Sequence, residues 1–187
     1  MKILLVILFF ILPSFALTDD SKVFKKMEKD FGSIIVKDLT KKKLIFSKDE
    51  NQILRPASLT KIMTSMLAIE SGKMNSVVTI TAEMKKVEPT IANFKVGEKF
   101  YLKDLVHAAM IKSANDAANA IAIYLGNGNK QKFVSMMNYK AKKLGMMNTN
   151  FTNPCGFDIG NHSTTANDLL KLTEYAIKNK TFNSIVK

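Results

Sequence analysis

The order of its apolar patterns constrains this chain most: two short alternating runs come first, and five stretches with helical spacing follow. Residues 33–39 (Ser-Ile-Ile-Val-Lys-Asp-Leu) and 43–47 (Lys-Leu-Ile-Phe-Ser) read as partner strands, and the lysine-rich link between them suits a hairpin turn. Leu59, Ile62, Met63, Met66, Leu67 and Ile69 then recur with helical period, ending near Gly72. Residues 77–81 are a short β-like run, and 91–100 are mixed with a turn at Gly97. Further helices are expected over 102–111, 117–125 and 130–144, with Gly126-Asn127-Gly128 and Gly145 as stops. Residues 148–161 read as a loop. Thr165-Ala166-Asn167-Asp168 resembles a capping box that opens a last helix through about residue 177. Strands followed by a run of helices imply a mixed α/β architecture with a helical subdomain and only part of a sheet.

The first residues have a different character. Met1-Lys2, ten unbroken apolar residues over 3–12 and then Pro13-Ser14-Phe15-Ala16 have the layout of a secretory signal peptide, with cleavage expected after Ala16. The run is too short to span a bilayer as a helix, which needs roughly 20 residues. Export implies an oxidising compartment, yet Cys155 is the single cysteine and no internal disulfide can form. The fold must be held by packing, and Cys155 itself reads as a small buried hydrophobe. Formal charge is +12, but only one of the 28 basic residues is arginine, Arg55. Reading of phosphates or base edges relies on arginine's planar fork, so nucleic acid is not an expected partner.

Ser58-Leu59-Thr60-Lys61 is an S-x-x-K. Residues i and i+3 share a helix face, so a hydroxyl and an amine at this spacing can meet. Serine needs a base to become a nucleophile, and lysine can serve if burial lowers its pKa. A place in the first helical turn would also aim the helix dipole at a developing oxyanion. By itself the motif is weak, because this composition supplies about two matches by chance. The second copy, Ser184-Ile185-Val186-Lys187, has no matching surroundings and no assigned role. Ser113-Ala114-Asn115, in a break between two helices, supplies a second hydroxyl for proton relay and an amide that can grip a carbonyl. The competing readings are helix caps: Ser58 for the first helix, Ser113 and Asn115 for the next.

Together the two segments resemble the penicillin-binding serine enzymes, whose motif set is S-x-x-K, S-x-N and K-T-G. The stretch 55–64 (Arg-Pro-Ala-Ser-Leu-Thr-Lys-Ile-Met-Thr) looks like the nucleophile helix of low-molecular-mass D-alanyl-D-alanine carboxypeptidases. Lys142-Lys143-Leu144-Gly145-Met146, the stretch 149–156 (Thr-Asn-Phe-Thr-Asn-Pro-Cys-Gly) and 163–168 (Ser-Thr-Thr-Ala-Asn-Asp) extend the resemblance over roughly residues 30–180. It implies a β-lactamase/transpeptidase-like fold, with residues 17–187 forming part of a catalytic domain that stops before the late strands. It also implies attack by Ser58 on the bond between the terminal D-alanines of a peptidoglycan stem peptide, with Lys61 as base. The Ser58 N–H would form half an oxyanion hole, Ser113 would relay a proton to the departing D-alanine, and Asn115 would hold the acyl-side amide and Lys61. β-Lactams would mimic the substrate. The protein would work in the periplasm, attached to the inner membrane as is frequent in the family.

Two departures stand out. Cys155 occupies a position where the family commonly has histidine, and is expected to be a tolerated loop change with little bearing on chemistry. No Lys-Thr-Gly or Lys-Ser-Gly triplet occurs; in the family it supplies a cation for the substrate carboxylate, so the sequence reads as incomplete and inactive as it stands. Two alternatives remain: a non-catalytic penicillin-sensing or wall-binding module, and a class A β-lactamase relative. The latter needs a glutamate to activate water, and residues 148–155 contain no carboxylate. No metal or cofactor is expected, since His107 and His162 lack ligand partners at useful spacing. Met136-Met137 and Met146-Met147 read as core filler.

Overall fold

The computed structural model describes residues 3–9 and 29–187. Five strands and six α-helices follow the order β1 (Ile3–Phe9), β2 (Phe31–Asp38), β3 (Lys43–Lys48), α1 (Thr60–Glu70), β4 (Val77–Thr79), β5 (Lys99–Tyr101), α2 (Leu102–Ile111), α3 (Asn115–Leu125), α4 (Lys130–Lys143), α5 (Ala166–Ala176) and α6 (Lys180–Ile185). Single 3-10 turns occur at Ala57–Leu59 and Glu83–Lys85.

Strands β2 and β3 are the expected antiparallel hairpin, and β1 lies parallel to β2 on its other side. The hairpin turns where it does for a local reason: the Asp38 carboxylate accepts the N–H groups of Thr40 and Lys41, an Asx turn, and Lys42 takes a positive φ of 53°. Ile34, Ile35 and Val36 are all buried, so β2 is covered on both faces, while β3 is more open. The β1 run is the apolar stretch of the expected leader. Its expected cleavage site after Ala16 lies outside the described residues. Among the described residues no helix is long and apolar enough to cross a membrane.

Helix α3 is the axis of the helical layer. Ten of its eleven residues are buried, and four of those are alanines that let its neighbours approach closely. α1, α2 and α4 pack around it. Its polar residues face an irregular segment rather than solvent. Asp116 accepts the Ala92 N–H through both oxygens, and Asn119 donates to the carbonyls of Glu83 and Met84. Asn115 donates from Nδ2 to the Glu88 carbonyl and from its backbone N–H to the Thr90 carbonyl. Residues 83–92 are thereby clasped to the start and middle of α3. The small antiparallel β4–β5 pair completes this segment and leads directly into α2.

Some local expectations change. The last capping box is only half formed: Thr165 Oγ1 accepts the Asp168 N–H, but the buried Asp168 carboxylate accepts instead from Asn148 N–H, Thr149 Oγ1 and Lys171 Nζ. It fastens the loop after α4 to the start of α5, a role with no signature in local spacing. Met137 and Met146 are core residues, whereas Met147 is 72% exposed. Ser184, of the unassigned second S-x-x-K, lies near the end of α6, and its hydroxyl donates to the Thr181 carbonyl.

Candidate active site

The nucleophile candidate does not sit in the first α-helical turn. Ser58 lies in the 3-10 turn immediately before α1, and neither its hydroxyl nor any other side chain caps that helix. The preceding residue, Ala57, has φ +48°, a left-handed conformation that costs a non-glycine residue on the order of 1 kcal/mol. This strained turn leaves Ser58 exposed, while Lys61, one turn on, is only 2% exposed.

Lys61 Nζ lies 3.1 Å from Ser58 Oγ and donates to the Cys155 carbonyl at 2.8 Å. Burial disfavours the ammonium form and pulls the Lys61 pKa below its ordinary 10.5; charge on Cys155 would act the other way. That thiol is itself buried, and desolvation pushes its pKa up to about 11, so it stays neutral beside the amine. The arrangement can therefore hold an uncharged amine against a serine hydroxyl.

The second motif is joined to the first through the same loop residue. Cys155 Sγ donates to the Asn115 carbonyl at 3.4 Å. One residue thus carries a carbonyl that takes Lys61 and a thiol that takes Asn115. Ser113 sits in the α2–α3 break with φ +54°, and Ala114, not Ser113 or Asn115, is the N-cap. The capping explanation for both residues accordingly fails. Among the described residues, Ser113 makes no hydrogen bond to Ser58 or Lys61, and Asn115 makes none to Lys61. The expected Asn115–Lys61 contact is replaced by the Cys155 carbonyl. The chain's cysteine is buried as expected, and it lies between the two motifs.

The segment that carries Cys155 lies in the expected 148–161 loop, and its shape comes from side-chain bonds that spacing does not reveal. Asn153 Oδ1 accepts three backbone N–H groups, from Cys155 at 3.1 Å, Gly156 at 2.8 Å and Phe157 at 3.0 Å. Thr64, on α1, donates to the Pro154 carbonyl. Gly156 has φ +100°, and a Cβ there would come within 1.8 Å of the Ala57 carbonyl oxygen. Both the conformation and the close approach require glycine. Behind the nucleophile turn, the fully buried His162 accepts the Thr152 N–H at Nδ1. That bond fixes the tautomer, so Nε2 donates to Thr60 Oγ1 at 2.8 Å. Burial lowers the His162 pKa to about 4, and it stands in the chain as a neutral structural residue. The lone arginine, Arg55, donates to the Gly160 and His162 carbonyls and braces the same loop. His107, by contrast, is on an exposed helix face, and no group of three metal-ligating side chains occurs among the described residues.

Chemically, a strained serine turn, a desolvated lysine and a hydroxyl–amide break at one locus can activate a hydroxyl for acyl transfer. Comparison with known proteins places the chain more closely. A family model for D-alanyl-D-alanine carboxypeptidase matches residues 20–186. The D-alanyl-D-alanine carboxypeptidase DacF of Bacillus subtilis is 31% identical over 180 residues, which cover 94% of this chain and 45% of that protein. A D-alanyl-D-alanine endopeptidase of Escherichia coli is 35% identical over 146 residues, 75% of this chain and 46% of its own. Among solved structures, the D-alanyl-D-alanine carboxypeptidase DacD of Francisella tularensis superposes with TM-score 0.74 at 34% identity, covering 81% of this chain and 37% of that one. A D-alanyl-D-alanine carboxypeptidase of Mycobacterium tuberculosis gives 0.75 at 31% identity, covering 81% and 57%. The chain belongs to the D-alanyl-D-alanine carboxypeptidase family, and its fold is that of the penicillin-binding proteins. It spans about half the length of the curated relatives it matches.

Two outcomes test this local architecture. Gly72 also has a positive φ, of 70°, but nothing lies within 4 Å of a Cβ placed there. Gly72→Ala is expected to cost about 1 kcal/mol in urea unfolding, and Gly156→Ala about 3 kcal/mol or more because the Ala57–Ser58 peptide must move. Equal costs would contradict the close approach. For His162 the folded pKa, about 4, lies below the ordinary 6.5. Its contribution is therefore complete above pH 6.5 and is lost as pH falls toward 4, where the unfolded chain binds the proton first. The stability difference between the parent and His162→Asn should shrink by about 3 kcal/mol across that window. Parallel curves for the two proteins would show that His162 is not held neutral.

Proposed function

We propose that this protein is a serine D-alanyl-D-alanine carboxypeptidase that acts on peptidoglycan stem peptides and is acylated by β-lactams. The observation that carries the reading is the short contact between a buried, pKa-lowered Lys61 and the exposed Ser58 hydroxyl. Neutral Lys61 takes the Ser58 proton as Oγ forms a bond to the carbonyl carbon between the terminal D-alanines. The Ser58 backbone N–H contributes to the oxyanion site. The C–N bond then breaks, and Ser113 passes the proton from Lys61 to the departing D-alanine amine. Asn115 gives one Nδ2 N–H to the Glu88 carbonyl, which orients the amide, and its Oδ1 accepts the substrate's acyl-side amide N–H. Water, deprotonated by Lys61, attacks the ester, frees the shortened peptide and restores Ser58.

The proposal includes export, with removal of residues 1–16 and work in the periplasm at the inner membrane. The apolar leader pattern and the peptidoglycan substrate support this placement. Both catalysis and β-lactam sensing would use Ser58, and one experiment separates them. Labelled penicillin should add one acyl group to the full-length protein, seen by intact mass, and Ser58→Ala should abolish it. Labelling that survived this change would refute Ser58 as nucleophile. A peptide ending in D-Ala-D-Ala should release free D-alanine with multiple turnovers. Stable acylation without D-alanine release would favour the sensor.

A further inference from the structure

The segment from Asn153 to Phe157 touches both motifs. Its Pro154 carbonyl takes Thr64 on α1, its Cys155 carbonyl takes Lys61, its Cys155 thiol takes the Asn115 carbonyl, and Gly156 abuts the Ala57–Ser58 peptide. This pentapeptide has no regular secondary structure to hold it. Its shape comes from one side chain: Asn153, 6% exposed, gathers three N–H groups on Oδ1 and returns Nδ2 to the Phe157 carbonyl at 2.9 Å and to Thr152 Oγ1 at 3.2 Å.

We propose that Asn153 is a positioning residue for the base: it aims the Cys155 carbonyl at Lys61 and keeps the surroundings of that amine free of negative charge. The inference rests on the acyl-transfer reading of Ser58 and Lys61. A neutral amine has two N–H donors and one lone pair. When the Cys155 carbonyl takes one N–H, rotation about the last side-chain bond is restricted and the lone pair can be held toward Ser58. Aspartate would accept the same three N–H groups, so acceptor geometry alone does not select asparagine. What aspartate adds is an anion on the N–H of the very residue whose carbonyl holds the amine. Such a charge favours ammonium and removes the base. Other charged groups face this point: Asp158 of the same loop, Glu88, Lys85 and Lys86 of the segment clasped to α3, and Lys130 line the adjoining pocket with Asn153 and Cys155, and none of them is hydrogen-bonded to Lys61. The Cys155 thiol is kept neutral by burial, the Asp116 carboxylate of α3 is bound to the Ala92 and Ala117 N–H groups, and Lys130 of α4 acts on Cys155 with a positive charge.

The test is the pH profile of acylation of the full-length protein by a fluorescent penicillin, for the parent, Asn153→Asp and Asn153→Ala. Acylation needs neutral Lys61, so its rate rises through the Lys61 pKa. Asn153→Asp should remain folded and move this rise upward by about one pH unit, cutting the rate at pH 7 about tenfold while recovering at higher pH. Asn153→Ala should move the rise in the same direction and also lower the plateau, because the carbonyl is no longer aimed. An unchanged profile in Asn153→Asp, or a loss in both variants that is uniform with pH and matches the unfolded fraction, overturns the proposal. If Asn153→Ala fails to fold, Asn153→Asp alone decides. Absence of labelling in the parent would instead refute the proposed function. The loop role would then stand or fall on whether the Lys61 amine itself, followed by NMR of labelled lysine, titrates higher in Asn153→Asp than in the parent.

Discussion

A lysine amine held out of water beside a serine hydroxyl is the constraint around which this structure is arranged. Lys61 is among the largest fully buried side chains, and an unpaired buried ammonium is far more costly than an amide or hydroxyl. Among the described residues no carboxylate is hydrogen-bonded to it; its partners are a hydroxyl and a backbone carbonyl. Both can bond a neutral amine, and neither compensates a full positive charge. The site thus favours the uncharged amine through what surrounds it, and the rest of the fold serves to keep those surroundings dry and fixed.

Two loops do this, and both are clamped by side chains at helix positions. Residues 83–92 are clasped by Asn115, Asp116 and Asn119 of α3. Residues 148–165 are held by Asn153 internally, by Arg55 and Thr60–His162 from the nucleophile side, and by Asp168 from α5. Apart from Thr60–His162, which joins two side chains, each clamp is a polar side chain satisfying backbone groups that have no strand or helix to pair with. Two of the six non-glycine residues with positive φ among the described residues, Ala57 beside the first motif and Ser113 in the second, lie at the junction. Such strain persists only where surrounding contacts determine the backbone. Gly156 against the Ala57 carbonyl and Cys155 against Asn115 supply contacts of that kind.

The first five helices and the first hairpin were legible because their apolar periods are strong: 102–111 and 130–144 match α2 and α4 to within a residue, whereas the six-residue α6, too short to show a period, was not expected. Ser58 and Lys61 were legible from i,i+3 spacing, though their 3-10 setting was not, since it depends on Gly156 pressing on the turn from 98 residues away in sequence. The break at Ser113-Ala114-Asn115 was visible, but the orientation of the Asn115 amide depends on Glu88, in an irregular segment without period. Polar Asn115, Asp116 and Asn119 in an otherwise apolar, alanine-rich helix were the available signal for that clasp. Cys155 was read as a small buried residue, and it is one; its contact to Lys61 runs through a backbone carbonyl that every residue has and so leaves no mark in composition.

The claim that decides the rest is the ionisation of a single amine. In the full-length protein with isotopically labelled lysine, the side-chain resonance assigned through Lys61→Arg should titrate well below the 10.5 of an ordinary lysine and apart from the surface lysines. If Lys61 instead titrated together with those lysines, at 10.5 or above, it would be an ammonium at neutral pH and could not serve as the base for Ser58.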